Sequence, residues 1–302
     1  MGASDKALIE QFLEMLVASR GAARNSREAY ERDLTDFASF YKNDLLTAQK
    51  NNLEAWLADL HKRQYSPRSI ARKLSALRQF FHFLYEEEHR ADDPTTQLDS
   101  PKQPKSLPKL LSGAEIAQLL THLTANDTPE GLRLRAMVEL LYASGLRVSE
   151  LVSLPYASAN RLLKSGEPLL LIKGKGGKER MVPVHGQAQA SLKAYLAIRG
   201  LWIKTKGDEK FLFPSGSEQG YLTRQRLGQL LKAAALDAGL NPARISPHVL
   251  RHSFASHLLA GGADLRVIQE LLGHAHLVTT EIYTHIMPEK LRALVAQHPL
   301  AE

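Results

Sequence analysis

His248 and Arg251 stand three residues apart behind Ser246-Pro247, a spacing that stacks an imidazole and a guanidinium on one face of a helix's first turn. Ser246 is a natural N-cap and Pro247 suits the first helical position, so a helix is predicted to open there. The free N–H groups and positive dipole end of that terminus favour a bound anion, and Arg251 can grip it through two nitrogens. Leu250, Phe254 and Leu258 lie on a separate apolar face, which gives the helix a core to rest on. From Asp264 a second helix carries Leu265, Ile268, Leu271 and Leu272, and Gly273 closes it so that His274 is held just past its end. Thr279 or Thr280 can cap a short third helix that bears Tyr283. A phosphate site with two histidines, an arginine and a phenol suggests phosphoryl transfer through a tyrosine. The free phenol, with a pKa of about 10, is a weak nucleophile at neutral pH, and neighbouring cations would favour its phenolate.

Two further residues join this set. Arg147 follows a glycine-terminated helix; taken alone it reads as a surface or ion-paired arginine, and beside Arg251 it becomes the second half of a phosphodiester clamp. Gly174-Lys175-Gly176-Gly177-Lys178 lacks the spacing and the Ser or Thr of a nucleotide-binding loop. A glycine-flanked Lys175 on a turn instead suits protonation of a leaving oxygen, although without the other residues it is a solvated turn. His248 and His252, four apart, invite a metal reading with His274 or His276, against which stands the lack of a nearby carboxylate in the sequence.

The composition bounds what such a site can serve. The chain has 302 residues, 44% hydrophobic and 24% charged, enough for two ordinary globular domains. Cysteine is absent, which excludes disulfides and cysteine-based zinc sites. No apolar run is long enough to span a bilayer, and Met1-Gly2-Ala3-Ser4-Asp5 lacks a signal peptide's basic start, so a cytoplasmic location is expected. The net charge of +7 favours a polyanionic partner. Residues 1–97 carry a net charge of −1 and the remainder +8, so the excess belongs to the half that holds the candidate site.

The elements that must position these groups follow from periodicity. Residues 5–90 read as four amphipathic helices, near 6–19, 26–42, 47–63 and 67–88, forming an all-α bundle. The fourth sets Ile70, Leu74, Leu77, Phe81 and Leu84 inward and Arg68, Arg72, Lys73 and Arg78 on its other side. That basic side is either an ordinary solvated face or, since the acidic residues gather at Glu86-Glu87-Glu88, a DNA-facing one. Residues 94–109 form a Pro- and Lys-rich linker, a plain spacer or a segment that follows a phosphate backbone. It separates residues 1–93 from a second domain, 110–302, that opens with the capping box Ser112-Gly113-Ala114-Glu115. There a helix near 131–143 ends at Ser144-Gly145, residues 168–184 alternate as a β-hairpin, and helices follow near 186–198, 223–239 and 247–260. A last amphipathic helix spans 288–298. The fold class is therefore mainly α with a small hairpin.

The ordered set Ala143-Ser144-Gly145-Leu146-Arg147-Val148-Ser149-Glu150-Leu151, Gly174-Lys175-Gly176-Gly177-Lys178-Glu179-Arg180, Ser246-Pro247-His248-Val249-Leu250-Arg251-His252, Leu271-Leu272-Gly273-His274 and Thr279-Thr280-Glu281-Ile282-Tyr283 resembles the Xer-type tyrosine site-specific recombinases. The resemblance covers nearly the whole chain. It implies an N-terminal four-helix SAM-like core-binding domain, a C-terminal catalytic domain, and a Holliday-junction route on double-stranded DNA recombination sites. It also implies roles. Arg147 and Arg251 clamp the scissile phosphate, and Tyr283 attacks it to leave a 3′-phosphotyrosyl link and a free 5′-hydroxyl. Lys175 is the general acid, His248 an acid/base, and His274 orients the phosphate. Arg68, Arg72, Lys73, Arg78 and Lys178 are the DNA-binding candidates. The covalent link stores the phosphodiester energy, so no cofactor, neither ATP nor metal, is implied. The implied partners are a second recombinase of the XerC/XerD type in a hetero- or homotetramer, joined through the 288–298 helix, and a septal DNA translocase as activator. The implied role is resolution of chromosome dimers. A mobile-element integrase and a non-catalytic DNA-binding protein on the same fold are the alternatives. One departure, Ala157-Ser158-Ala159-Asn160 in place of a commonly acidic stretch, puts local structure before the hairpin in question.

Overall fold

The computed structural model describes residues 2–20, 24–98, 110–174 and 179–273. They form two units, divided at Leu107/Pro108. Among them no helix is long and apolar enough to cross a membrane.

The first unit holds helices α1 (Ala3–Arg20), α2 (Arg24–Tyr41), α3 (Lys50–Lys62) and α4 (Pro67–Glu86). Leu8, Phe12, Leu13 and Leu16 of α1 recur at helical spacing and meet Leu34 and Phe37 of α2, Trp56 of α3, and Phe80, Phe81 and Leu84 of α4 in one core. Edge-to-face ring pairs join the four helices, with Phe12–Phe80 centroids 5.5 Å apart and Phe37–Trp56 at 5.3 Å. Ser66 caps α4 by accepting from the Ser69 N–H at 3.2 Å, and Pro67 occupies the first turn.

Two expectations are corrected here. Lys73 does not lie on an exposed basic face: it is buried, its Nζ 2.8 Å from Asp36 and 3.3 Å from Asp33 and set over the Trp56 and Tyr65 rings. A buried ammonium needs such partners, and two carboxylates of α2 supply them. Of its neighbours, Arg72 pairs with Asp33 while staying half exposed, Arg78 donates to the Leu98 carbonyl, and Arg68 is exposed. The linker also begins later than its proline content suggests. Asp93 accepts from the Thr95 N–H at 2.8 Å, and Thr95 and Leu98 are buried, Leu98 in the first core.

The second unit comprises α5 (Gly113–Thr124), α6 (Pro129–Ser144), α7 (Val148–Val152), α8 (Tyr156–Ser165), strands β1 (Leu169–Lys173) and β2 (Glu179–Pro183), α9 (Gly186–Ile198), α10 (Arg224–Asp237), α11 (Pro247–Ala260) and α12 (Leu265–Leu272). Helix α6 is buried on nearly every side, from Leu134 to Ser144, and packs against α5, α9, α10 and α11. The capping box at α5 is present, with the Ser112 N–H donating to Glu115 at 2.8 Å and the Glu115 N–H to Ser112 Oγ at 3.2 Å. The strands pair antiparallel from Leu169↔Pro183 to Lys173↔Glu179. Ala157-Ser158-Ala159-Asn160 lies inside α8, which buries Ala159 and Leu162.

Candidate active site

The site is built where α6, α7, β2, α11 and α12 meet. Helix α6 ends on Gly145 at φ +59°, a left-handed turn that glycine makes without cost. A Cβ there would lie 2.5 Å from the Phe254 ring of α11, so the small residue also lets α11 approach. The turn hands the chain to Arg147, the N-cap of α7, whose N–H donates to Glu150 Oε2 at 2.8 Å and whose Nη1 donates to Oε1 at 3.1 Å. From the first turns of α11, Arg251 donates to the Gly145 carbonyl and, at 2.6 Å, to Leu272 O. Arg180 of β2 forks onto Glu150, Nη1 to Oε1 at 2.9 Å and Nη2 to Oε2 at 2.8 Å, and sends Nε to Leu271 O at 2.8 Å.

One pattern organises these contacts. The closing turn of α12 leaves carbonyls without intrahelical partners, and three guanidiniums take three in succession: Arg180 at Leu271, Arg251 at Leu272, and Arg147, at 3.1 Å, at Gly273. Cations at a helix C-terminus also meet the negative end of its dipole. Gly273 sits at φ +67°, the left-handed cap that the sequence predicts, and Asp264 caps the other end by accepting from the Arg266 N–H at 2.8 Å.

The charges do not balance locally. Among the described residues three guanidiniums cluster around one carboxylate, Glu150, which bonds Arg147 and Arg180 but not Arg251. Burial pushes that carboxyl up, but hydrogen bonds from Arg180 and the Arg147 backbone outweigh it, and the group stays below its ordinary value and ionised. Burial and then the repulsion of Arg147 and Arg180 lower the Arg251 guanidinium to about 10, with Glu150 opposing. A bound anion would relieve that strain.

Arg147 and Arg251 are thus brought together, and the Ser246 cap that places α11 is formed, its Oγ accepting from the Val249 N–H at 3.2 Å. His248 is exposed on the first turn of α11, one turn before Arg251, and His252 is exposed too. Lys175, Lys178, His274 and Tyr283 lie outside the described residues, as does the 288–298 helix. Glu150 and Arg180 received no role from the sequence. Glu150 was detectable as the carboxylate three residues after Arg147 at a helix start. Arg180 had no local signal, because its partners lie 30 and 91 residues away in the chain.

Residues 109–290 match the phage integrase family model, and residues 9–88 match that of the phage integrase N-terminal SAM-like domain. The chain is 48% identical over 301 residues to tyrosine recombinase XerD of Rickettsia conorii, covering 97% of this chain and 98% of that protein. It is likewise 48% identical over 300 residues to tyrosine recombinase XerD of Caulobacter vibrioides, covering 98% and 97%. A crystal structure of XerH site-specific recombinase bound to a palindromic difH substrate shares the fold, with a TM-score of 0.67 at 23% identity over 95% of this chain and 84% of that one. Matched across both units by these models and along nearly its full length by such relatives, the chain belongs to the phage integrase family, as a Xer-type tyrosine site-specific recombinase.

Proposed function

We propose that this recombinase cleaves double-stranded DNA at the cluster around α12, with Arg147 and Arg251 as the clamp on the scissile phosphate. The observation that carries the reading is the excess of positive charge there: among the described residues one carboxylate, bonded to Arg147 and Arg180, stands against three guanidiniums, and Arg251 is lowered to about 10 by burial and by its like-charged neighbours. Among the described residues each Nη of Arg251 makes one hydrogen bond, to a carbonyl, which leaves its second N–H for a phosphate oxygen. In the reaction the Tyr283 oxygen attacks phosphorus as its proton leaves, with His248 as the acid/base. The bond to the 5′ oxygen breaks, and Lys175 protonates that oxygen to give a free hydroxyl. His274, which directly follows Gly273, orients the phosphate. Attack by the 5′-hydroxyl of another strand reverses the sequence and reseals the DNA, so energy is conserved without ATP.

In the first unit Arg68 and Arg72 are the proposed phosphate contacts, and Lys178, which precedes β2 in the sequence, is another. Lys73 is left out because its charge is already matched inside the protein. Relatives 48% identical that are named XerD support a chromosomal role, the resolution of chromosome dimers in the cytoplasm. The proposed assembly is a tetramer on two recombination sites with a partner recombinase, activated by a septal DNA translocase. The test is incubation with a nicked suicide site. Wild type is expected to form a covalent protein–DNA adduct that survives EDTA, and Tyr283→Phe to bind the site without forming one. Adduct formation by Tyr283→Phe would assign the nucleophile elsewhere.

A further inference from the structure

We propose that Arg180 is a positioning residue for strand cleavage, setting the phosphate-gripping Arg147 through the Glu150 carboxylate. The inference rests on the reading of Arg147 as part of the phosphate clamp. The geometry supports it in three ways. Arg180 covers both oxygens of Glu150 in a fork, and the same two oxygens hold the backbone N–H and Nη1 of Arg147, so the carboxylate cannot rotate without breaking contacts to both arginines. The third donor of Arg180, Nε, ties this arrangement to Leu271 O, one residue from the carbonyl that holds Arg251. The Arg180 side chain is only 13% exposed, against 39% for Arg147, so Arg180 is walled in while Arg147 remains open to a ligand.

The charge argument points the same way. A carboxylate 3.1 Å from a phosphate-binding arginine would neutralise it and weaken its pull on DNA. A second guanidinium on that carboxylate divides its charge and leaves Arg147 cationic in effect. Arg180 therefore does two jobs at once: it fixes the direction of Arg147, and it offsets the acid that does the fixing. Lysine could supply the charge but neither the fork nor the added bond to Leu271.

The experiment measures the rate of covalent adduct formation on the nicked suicide site at saturating DNA, together with the affinity for the same site. Arg180→Ala is expected to slow adduct formation about 10- to 100-fold, the usual cost of losing a group that orients a contact residue. Site affinity should stay within about threefold, and Arg180→Lys should recover part of the rate. In an Arg147→Ala background, Arg180→Ala should add less than about threefold, because the group it positions is gone. If Arg180→Ala does not fold, Arg180→Gln takes its place in both backgrounds. An unchanged rate in Arg180→Ala, a loss confined to affinity, or an undiminished effect without Arg147 each overturns the proposal. Wild type that forms no adduct overturns the recombinase-site reading and this inference with it, whereas wild-type adduct with an equally fast Arg180→Ala removes this inference alone.

Discussion

At the scale of single residues, environment rather than residue type separates the charged groups of this chain. Arg251 is a guanidinium that burial and the like charges of Arg147 and Arg180 make costly, a cost that a bound anion would relieve. Arg251→Lys is expected to reduce adduct formation about 100-fold, since a point charge replaces a planar fork and a buried ammonium loses its proton more readily. Glu139 of α6 is a different case. It is buried with Oε2 lacking a hydrogen-bond partner among the described residues, and burial pushes its carboxyl up to about 7. Between its unfolded value of 4.5 and about 7 the unfolded chain gives up the proton first, so the folded state binds more protons and stability falls as pH rises. Glu139→Gln should therefore gain stability relative to wild type at pH 8, by up to about 3 kcal/mol, and show little difference at pH 4. Denaturant titrations at the two pH values check this, and an equal gain at both would rule out ionisation as its source.

At the scale of elements, glycines and caps fix the site. Gly145→Ala combines a left-handed backbone with a Cβ 2.5 Å from Phe254, and is expected to cost about 2–4 kcal/mol. Gly166→Ala has the same backbone penalty and open space around it, so about 1 kcal/mol is expected. Thermal unfolding of the two variants separates packing from backbone strain. The contrast also shows how much could be read from the chain. Caps, helix ends and the hairpin are local statements, and Ser112, Ser246, Asp264 and Gly273 announce them within four residues. Helix α8 was announced only at its end, by Gly166, because no side chain caps its start and Tyr156–Ser165, half of it polar, buries only Ala159 and Leu162. Arg147 and Arg251 were legible from their motifs, but their joint hold on α12 was not: Arg147 and Gly273 lie 126 residues apart. Lys73 was misread because it adjoins Arg72 in the sequence, although helical spacing sets it with the inward Ile70 and Leu77; the carboxylates that accept it there come from α2.

At the scale of the whole molecule, the described residues form two units with separate cores, and within the first unit buried and exposed cations have different surroundings. Substitutions in α4 should therefore divide accordingly. Arg68→Ala is expected to weaken DNA binding and to lower the slope of log affinity against log salt by about one. Lys73→Ala should leave that slope unchanged and instead destabilise the first unit by about 1–3 kcal/mol, since Asp33 and Asp36 lose a shared buried cation and keep only Arg72 and Arg63. Binding isotherms across a salt series, with circular dichroism melts of the same proteins, distinguish the two. A salt slope altered by Lys73→Ala would return that lysine to the DNA surface.

The three arginines on successive carbonyls make α12 a ruler as well as a support. Its eight residues, from Leu265 to Leu272, set where Gly273 and its carbonyl stand relative to the Asp264 cap. Inserting or deleting one residue would turn that carbonyl by about 100° and slide it about 1.5 Å along the axis. Length in this helix should thus be far less negotiable than composition: its outward side chains can be exchanged freely, but its count cannot.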